Sequence, residues 1–349
     1  TNPDPELLRH LTAEAGFANS PAYAGSIDWQ RRHRGAVSLA LLSQFVPNQG
    51  DAWSFTLDNL DRSYGHALAL RSKLDALEPT PNVIAPIGPD AVPLAIRDFI
   101  GPIYAEMVDL LGQRTGELHL ALASLSQNPD VTPEPFSLLY QKSLYQSIRG
   151  LVLKVFGELD RSLRTLDPET AGRLGGVLAA RKTILSRLAP VLGKKITTLK
   201  IRTHGDYHLG RVLYTGKDFV IIDFEGEPAR SMTERRLKQP ALRDVAGMIR
   251  SFHYAACGNL ILRAAKLGAD VEYLKQWADL WYSYVSGIFL HAYLQTVAGS
   301  PVVPTDVGEC QTMLQVFLIE KAVYELGYEL NNRPDWLMIP IRGIEQIIR

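Results

Sequence analysis

Two aspartates stand at the ends of a predicted β-hairpin. Residues 212–214 and 219–222 are rich in β-forming side chains, and the turn between them, 215–218, contains a glycine that supplies a positive φ. Asp206 comes just before the first strand and Asp223 just after the second. Because antiparallel strands return to the same end of a hairpin, the two carboxylates are expected to lie together.

Such a pair of carboxylates suits phosphoryl transfer. One accepts the proton of the attacking hydroxyl, or orients that hydroxyl, and the other holds Mg²⁺ against the phosphates of a nucleotide. We assign Asp206 as the base and Asp223 as the metal ligand. His204 and His208 flank the base and are expected to fix its direction through backbone hydrogen bonds, since no cysteine or helical H-E-x-x-H frame supports a zinc site. The spacing alone fits a surface hairpin with capping acids equally well.

Composition narrows the classes of function. The chain has 349 residues, 46% hydrophobic and 21% charged, enough for one large or two modest domains. Acidic and basic residues balance at 37 each, so the net charge calls for neither nucleic acid nor an anionic membrane. No apolar run of about eighteen residues and no export signal is present, so the cytoplasm is the expected compartment. Two widely separated cysteines, Cys257 and Cys310, fit a reducing compartment and are expected to be buried.

A second strand pair precedes the helical part of the chain. Residues 26–46 read as strands around a basic turn at 31–35, whose arginines are expected to be solvated loop charges. Pro47 and Gly50 then break the strand, and helical periodicity begins at Trp53. A strand that leaves a sheet to enter a helical body is typical of a hinge between two lobes.

The remainder is predicted to be mostly helical. The predicted helices are 53–77, 103–125, 136–163, 171–188, 241–298 and 306–331. Segment 78–93 carries five prolines and is expected to be a loop. The chain also opens in a helical pattern capped by Asn2 or Asp4, which suggests a fragment. The pattern predicts an α+β fold: a remnant of a small sheet lobe, a hinge, and a mostly helical lobe with one short β insertion at 199–223.

Two motifs carry a resemblance to a known group of kinases. H-G-D-Y-H-L-G-R at 204–211 and I-I-D-F-E-G-E-P at 221–228 resemble the H-G-D-x-H-x-x-N and I-D-x-E signature of the aminoglycoside-phosphotransferase-like kinases, whose fold is similar to that of protein kinases. Within that group the chain is most similar to bacterial maltokinases. That similarity also includes F-V-P-N-Q-G-D-A-W at 45–53, L-R-D-V-A-G-M-I-R-S-F at 242–252 and E-K-A-V-Y-E-L-G-Y-E-L-N-N-R-P-D-W at 320–336.

The resemblance implies a protein-kinase-like fold and a sugar kinase. Residues 1–50 would be the remnant of the nucleotide-binding N-lobe with the hinge, and residues 51–349 the catalytic and sugar-binding C-lobe. Maltokinases use ATP and Mg²⁺ to phosphorylate maltose at its anomeric hydroxyl, giving maltose 1-phosphate for α-glucan synthesis. Many follow a trehalose synthase domain in the same chain, so such a domain is the expected partner in the parent protein.

The sugar is expected to lie on one helix face. Lys321, Tyr324 and Tyr328 share that face by their spacing, and Trp336 lies just beyond the helix end. Without the resemblance, a tyrosine stripe of this kind indicates core packing. Asp244 is expected to cap its helix, and the resemblance adds a role as acceptor for a sugar hydroxyl.

The nucleotide half departs from the pattern of these kinases. They place a strand lysine against the α and β phosphates, paired with a helix glutamate, but the first lysine here is Lys73, beyond the hinge. Glu6 matches the glutamate and is expected to lack a partner within the chain. The hinge residues Gln44, Phe45 and Val46 should still present backbone groups to adenine.

Arg211 is the second departure. It stands where the wider group has Asn, and maltokinases typically Gln, as a metal ligand. A guanidinium cannot ligate Mg²⁺, and between two aspartates it is expected to form a salt bridge where the cation should be. Glu225 is a candidate replacement ligand, and Arg211 could instead reach a phosphate directly.

Three functions therefore remain open from the sequence. The leading hypothesis is a maltokinase whose truncated lobe has weak or no activity. The second is a non-catalytic sugar-binding or regulatory module, a pseudokinase marked by Arg211 and attached to a trehalose synthase. The third is a related kinase acting on another small acceptor, such as an amino sugar or choline.

Overall fold

Long helices make up most of the chain. The structure, a computed structural model, describes residues 2–30, 36–69, 71, 80–126, 128–163 and 168–348. The helices are α1 Pro3–Arg9, α2 Ala52–Ala69, α3 Leu94–Ile100, α4 Pro102–Ala123, α5 Leu138–Ser162, α6 Pro168–Ala179, α7 Arg181–Leu188, α8 Met232–Arg235, α9 Leu242–Leu267, α10 Asp270–Thr296, α11 Val307–Asn332 and α12 Met338–Ile348. Within the described residues, no helix has the length and apolar character needed to cross a membrane.

The strands form antiparallel pairs. They are β1 Tyr23–Trp29, β2 Val37–Ser43, β3 Glu134–Pro135, β4 Leu199–Lys200, β5 Val212–Tyr214 and β6 Phe219–Ile221. In the part of the chain that is described, β1 pairs with β2, β3 with β4, and β5 with β6. The hairpin predicted at 212–222 is confirmed, with Val212 opposite Ile221 and Gly216 in the turn at φ 92°. The basic turn predicted at 31–35 lies outside the described residues.

Most predicted helices are confirmed with shifted ends. Asn2, and not Asp4, caps α1, because the Asn2 side chain accepts a hydrogen bond from the Asp4 N–H. The region predicted to be helical over 241–298 forms two helices, and Gly268, with a φ of 54°, ends the first of them, α9. The segment 171–188 contains α6 and α7, which meet at Ala180, while the predicted end of the helix at 53–77, with Lys73, lies outside the described residues.

A close contact between α4 and α10 sets the centre of the core. A Cβ added at Gly112 would collide with the Phe289 carbonyl oxygen, and one at Gly116 would lie 2.6 Å from the Thr296 Cβ. Glycines therefore allow these two backbones to approach closely. Helix α9 packs on α10 and α11 and is buried over most of its first five turns, and both cysteines are buried and free, as predicted. The loop before β5 rests on the first turn of α9.

Candidate active site

The hairpin brings Asp206 and Asp223 to one end. Backbone bonds close the hairpin on that side, since Ile222 N–H donates to the Arg211 carbonyl at 3.0 Å and Arg211 N–H to the His208 carbonyl at 2.8 Å. The Arg211 guanidinium then contacts both acids: Nη1 lies 2.5 Å from Asp223 Oδ2, and Nη2 lies 3.5 Å from Asp206 Oδ2. The two carboxylates thus share one cation.

Two histidines hold the loop that carries Asp206. His204 is buried, its Nδ1 accepts the Asp206 N–H at 3.4 Å, and its Nε2 lies 2.9 Å from the Ile222 carbonyl oxygen. Burial lowers the pKa of His204, which fits a neutral ring donating from Nε2. His208 accepts the Gly210 N–H at 3.1 Å through Nδ1 and places Nε2 3.6 Å from Asp206 Oδ2.

Asp206 is ionised at neutral pH. Its side chain is only 12% exposed, and this burial by itself would raise the pKa. The hydrogen bond and charge of His208, followed by the charge of Lys321, outweigh the burial and lower the pKa of Asp206 to about 2. Such a carboxylate is a firm hydrogen-bond acceptor for a hydroxyl and a weak proton acceptor.

Asp244 binds the backbone of the loop that carries Asp206. Its Oδ2 accepts the His204 N–H at 2.7 Å, its Oδ1 accepts the Gly205 N–H at 3.0 Å, and His119 Nε2 lies 3.3 Å from Oδ2. Burial would raise the pKa of Asp244, but these partners outweigh it and lower the pKa. The expectation that Asp244 caps α9 is wrong, because Ala241 occupies the cap position and the carboxylate binds the catalytic loop instead.

Asp223 has a special backbone. It is the non-glycine residue with positive φ, 62°, in the described chain, and its side chain is 45% exposed. Aspartate and asparagine adopt this left-handed region more readily than other side chains do, so the residue type suits the turn that directs the carboxylate. Glu225 is exposed and accepts a hydrogen bond from Asn2 Nδ2 at 3.2 Å.

Asp4 is a site residue that the sequence did not reveal. Its Oδ1 accepts the Phe224 N–H at 2.9 Å, so α1 is joined to the loop after β6. Burial is the main cause that raises the pKa of Asp4 to about 6, and the charges of Asp223 and Glu225 raise it further. The only signal in the sequence was its position near the helix cap, where it was considered as a capping residue.

Glu6 has partners, contrary to expectation. Its Oε2 lies 3.0 Å from Arg202 Nη1 and its Oε1 lies 3.0 Å from Arg236 Nη2. Burial would raise the pKa of Glu6, but the two arginines outweigh it and lower the pKa. The prediction failed because both arginines are about two hundred residues away along the chain and no local spacing pairs them with α1.

Some backbone groups of the hinge residues already make hydrogen bonds within the chain. Gln44 N–H donates to the Ala22 carbonyl at 2.9 Å, and the Val46 carbonyl accepts from the Asn48 side chain at 2.9 Å. The Phe45 ring is 80% exposed. The adenine contact assigned to this segment remains a prediction.

The donors present do not fit a magnesium ion. Within the described chain, no three His, Cys, Asp or Glu side chains are grouped so that they could hold a metal. Asp206 and Asp223, the two acids at the end of the hairpin, are joined by the Arg211 guanidinium. Its positive charge repels a divalent cation.

An open cleft lies beside Asp206. It has a volume of about 770 Å³, and a chamber of about 200 Å³ continues from it past Asp206 and Tyr324. Lys321, Tyr324 and Tyr328 line the cleft, so they share one side of α11 as their spacing predicted, and they are not packed in the core. Lys321 Nζ lies 3.4 Å from Glu227 Oε2, and the Tyr324 hydroxyl donates to Glu227 Oε1 at 3.3 Å.

Trp336 lies at the edge of this region. Its ring packs against α9, where a Cβ added at Gly258 would lie 3.1 Å away, and the Arg333 guanidinium stands 5.0 Å from its centroid. Arg333 also stands 5.5 Å from the centroid of Tyr328, so it joins the two aromatic rings. The structure brings the lysine and tyrosine face to Asp206, while Trp336 is not among the side chains that line the cleft.

Acidic side chains on the cleft wall were missed by sequence reasoning. Glu325 and Glu329 lie on α11 and line the cleft together with Glu227. Arg250 binds Glu325 at 2.8 Å, and Arg333 binds Glu329 at 2.6 Å. The available signal was the spacing of the two glutamates, four residues apart on the same helix as Lys321.

Comparison with known proteins gives the fold. No family model matches the chain. It is 24% identical over 353 residues to the glucosamine kinase of Mycolicibacterium smegmatis (strain ATCC 700084 / mc(2)155), covering 99% of this chain and 72% of that protein. It is also 24% identical over 238 residues to the glucosamine kinase of Streptacidiphilus jiangxiensis, covering 68% of this chain and 48% of that protein.

Solved structures agree. A glucosamine kinase in complex with glucosamine, ADP and inorganic phosphate matches 99% of this chain and 68% of that chain, with a TM-score of 0.67 and 20% identity. Crystal form B of a glucosamine kinase gives a TM-score of 0.68 over 99% of this chain and 69% of that chain, at 20% identity. The chain has the fold of these kinases. The matches support the predicted kinase-like α+β fold and give no support to a maltokinase or a trehalose synthase fusion.

Proposed function

We propose that the protein transfers the γ-phosphate of ATP to a hydroxyl of a small sugar, and that the acceptor is an amino sugar of the glucosamine type. The observation that carries the proposal is the ionised Asp206, which borders the cleft and shares a cation with Asp223. The similarity to glucosamine kinases over 99% of the chain supports the same class of reaction.

In the proposed reaction Asp206 orients the acceptor. The hydroxyl donates a hydrogen bond to the carboxylate, and its oxygen attacks the γ-phosphorus as the bond to the β,γ-bridging oxygen breaks and ADP leaves. The hydroxyl proton passes to Asp206 and then to water. Because its pKa is about 2, Asp206 takes that proton late, when the new phosphate ester has largely formed. His204, His208 and Asp244 position the loop for this contact.

The charge of the cleft favours a cationic acceptor. Glu227 makes only long contacts with Lys321 and Tyr324, at 3.4 and 3.3 Å, so its oxygens remain good acceptors for an ammonium group. Glu325 and Glu329 lie on the same wall, but each is paired with an arginine, Arg250 and Arg333, so the argument for an ammonium group depends on Glu227. The faces of Tyr324 and Tyr328 are suited to packing against a sugar ring.

The nucleotide and the acceptor are proposed to bind to different parts of the chain. We assign nucleotide contacts to residues 1–50, with adenine at Gln44 to Val46, and the acceptor to residues 51–349. The support is that α1 of the first part reaches the Asp223 loop through the Asp4 bond to Phe224 N–H.

Turnover assays with the full-length protein test the proposal. ATP is supplied with glucosamine, N-acetylglucosamine, glucose or maltose, and phosphorylated sugar is measured. We expect glucosamine to give a kcat/KM at least tenfold above that of glucose, and Asp206→Asn to lower kcat by about 10² or more. Glu227→Gln should lower kcat/KM for glucosamine more than for glucose, because only glucosamine carries the ammonium group.

Three outcomes would redirect the assignment. Activity retained in Asp206→Asn excludes this residue as the orienting base. If maltose is the best acceptor, the maltokinase hypothesis is restored. The chamber of about 200 Å³ beyond the main cleft favours that hypothesis, because it offers room for a second sugar ring. Sugar binding by calorimetry without any turnover supports the second candidate, a non-catalytic sugar-binding module, which Arg211 between the two acids favours.

A further inference from the structure

Arg211 is held in place by the hairpin. Its backbone N–H and carbonyl both bond across the loop, to His208 and Ile222, immediately before β5 begins. Its side chain is 30% exposed, and its Nε is buried without a hydrogen-bond partner. The position of the guanidinium is therefore set by the contacts of its two terminal nitrogens with Asp206 and Asp223.

The guanidinium supplies the charge that two adjacent carboxylates require. A guanidinium is a permanent cation with several N–H donors, which suits a position between two acids. A divalent cation that entered between Asp206 and Asp223 would have to displace the guanidinium and leave it close to the metal. Each terminal nitrogen carries two N–H groups, so a second N–H on each remains for an additional anion.

We propose that Arg211 is the resident cation of this site: it occupies the position between Asp206 and Asp223 that a divalent ion would take, and it binds a nucleotide phosphate directly. The nature of the anion rests on the proposed kinase function. The exclusion of a divalent ion rests on the contacts of Arg211 alone. Arginine is well suited to the second task, since its planar fork matches two phosphate oxygens.

Metal titration tests the exclusion without substrate. Free Mn²⁺ is followed by electron paramagnetic resonance as it is added to the nucleotide-free full-length protein. Wild type should show no stoichiometric site below millimolar Mn²⁺, whereas Arg211→Gln should bind one Mn²⁺ at least tenfold more tightly. Arg211→Lys, which keeps the charge, should behave as wild type, and Arg211→Gln with Asp223→Asn should lose the gain.

The wild-type titration tests the exclusion of a divalent ion even if a variant does not fold. A tight, stoichiometric Mn²⁺ site in wild type overturns the proposal, and so does equal affinity in wild type and folded Arg211→Gln. These measurements use neither ATP nor sugar, so they are independent of whether the protein phosphorylates glucosamine.

Nucleotide binding tests the second part of the proposal, that Arg211 binds a phosphate directly. Calorimetry with ADP, in magnesium and in EDTA, should give wild-type affinities within threefold of each other, while Arg211→Gln should lose at least tenfold in EDTA. A wild-type affinity that falls more than tenfold in EDTA, or no loss in Arg211→Gln, overturns direct phosphate binding by Arg211.

Discussion

Ionisation of Asp4 should oppose folding at neutral pH. Burial raises its pKa from 3.8 to about 6; the Phe224 N–H bond and the Arg211 charge lower it, and the Asp223 and Glu225 charges raise it. The folded state therefore prefers the protonated carboxyl. Its stabilising effect is fully present below the unfolded pKa and is lost as pH rises through 6. The difference between 3.8 and about 6 corresponds to a loss of about 3 kcal/mol at pH 8.

Asp4→Asn isolates this effect. The amide oxygen can still accept the Phe224 N–H, but the charge is gone. Urea unfolding at pH 5 and pH 8 should show that the variant gains stability over wild type at both values, by about 1 to 2 kcal/mol more at pH 8 because wild-type Asp4 is then fully ionised. The matched control is Asp90→Asn, in the exposed turn Pro89–Ala91, which should show the same difference from wild type at both pH values. An Asp4→Asn difference that is equal at the two pH values, or larger at pH 5, refutes the reasoning.

Two further predictions concern the core and the loop beneath the base. Gly112→Ala should lower the free energy of unfolding by about 2 kcal/mol in urea, because the added Cβ meets the Phe289 carbonyl, whereas Gly150→Ala in α5, with open space at its Cβ, should not lower it. Asp244→Asn should lower kcat by about tenfold or more with little change in KM, measured beside circular dichroism, because an amide has one carbonyl oxygen and cannot accept both the His204 and the Gly205 N–H; an unchanged kcat contradicts its positioning role.

Local sequence patterns predicted the structural features that are formed by residues close together in the sequence. The hairpin around Gly216 and the pairing of Asp206 with Asp223 follow from strand runs and one turn, and the contact of Arg211 with both acids follows from the hairpin. Helices were found by periodicity, although their ends moved where caps such as Ser137 decided them. These features need no knowledge of the rest of the fold.

Contacts between distant segments could not be predicted in this way. Asp4 reaches a loop 220 residues away, and the partners of Glu6 lie 196 and 230 residues away. Nothing in the spacing of α1 indicates these partners. The acceptor could not be predicted from the motifs either: they suggested a maltokinase, and the similarity to glucosamine kinases supports a sugar kinase without supporting maltose as its substrate.

The left-handed backbone of Asp223 affects how this site can be probed by saturation mutagenesis. At φ 62° glycine and asparagine are accommodated, while a β-branched or aromatic side chain is strained. Loss of activity in an alanine or valine variant would therefore mix a missing carboxylate with a displaced loop. Asparagine removes the charge and keeps the turn, and glycine keeps the turn without any side chain, so the comparison of these two variants with wild type reports on the carboxylate itself.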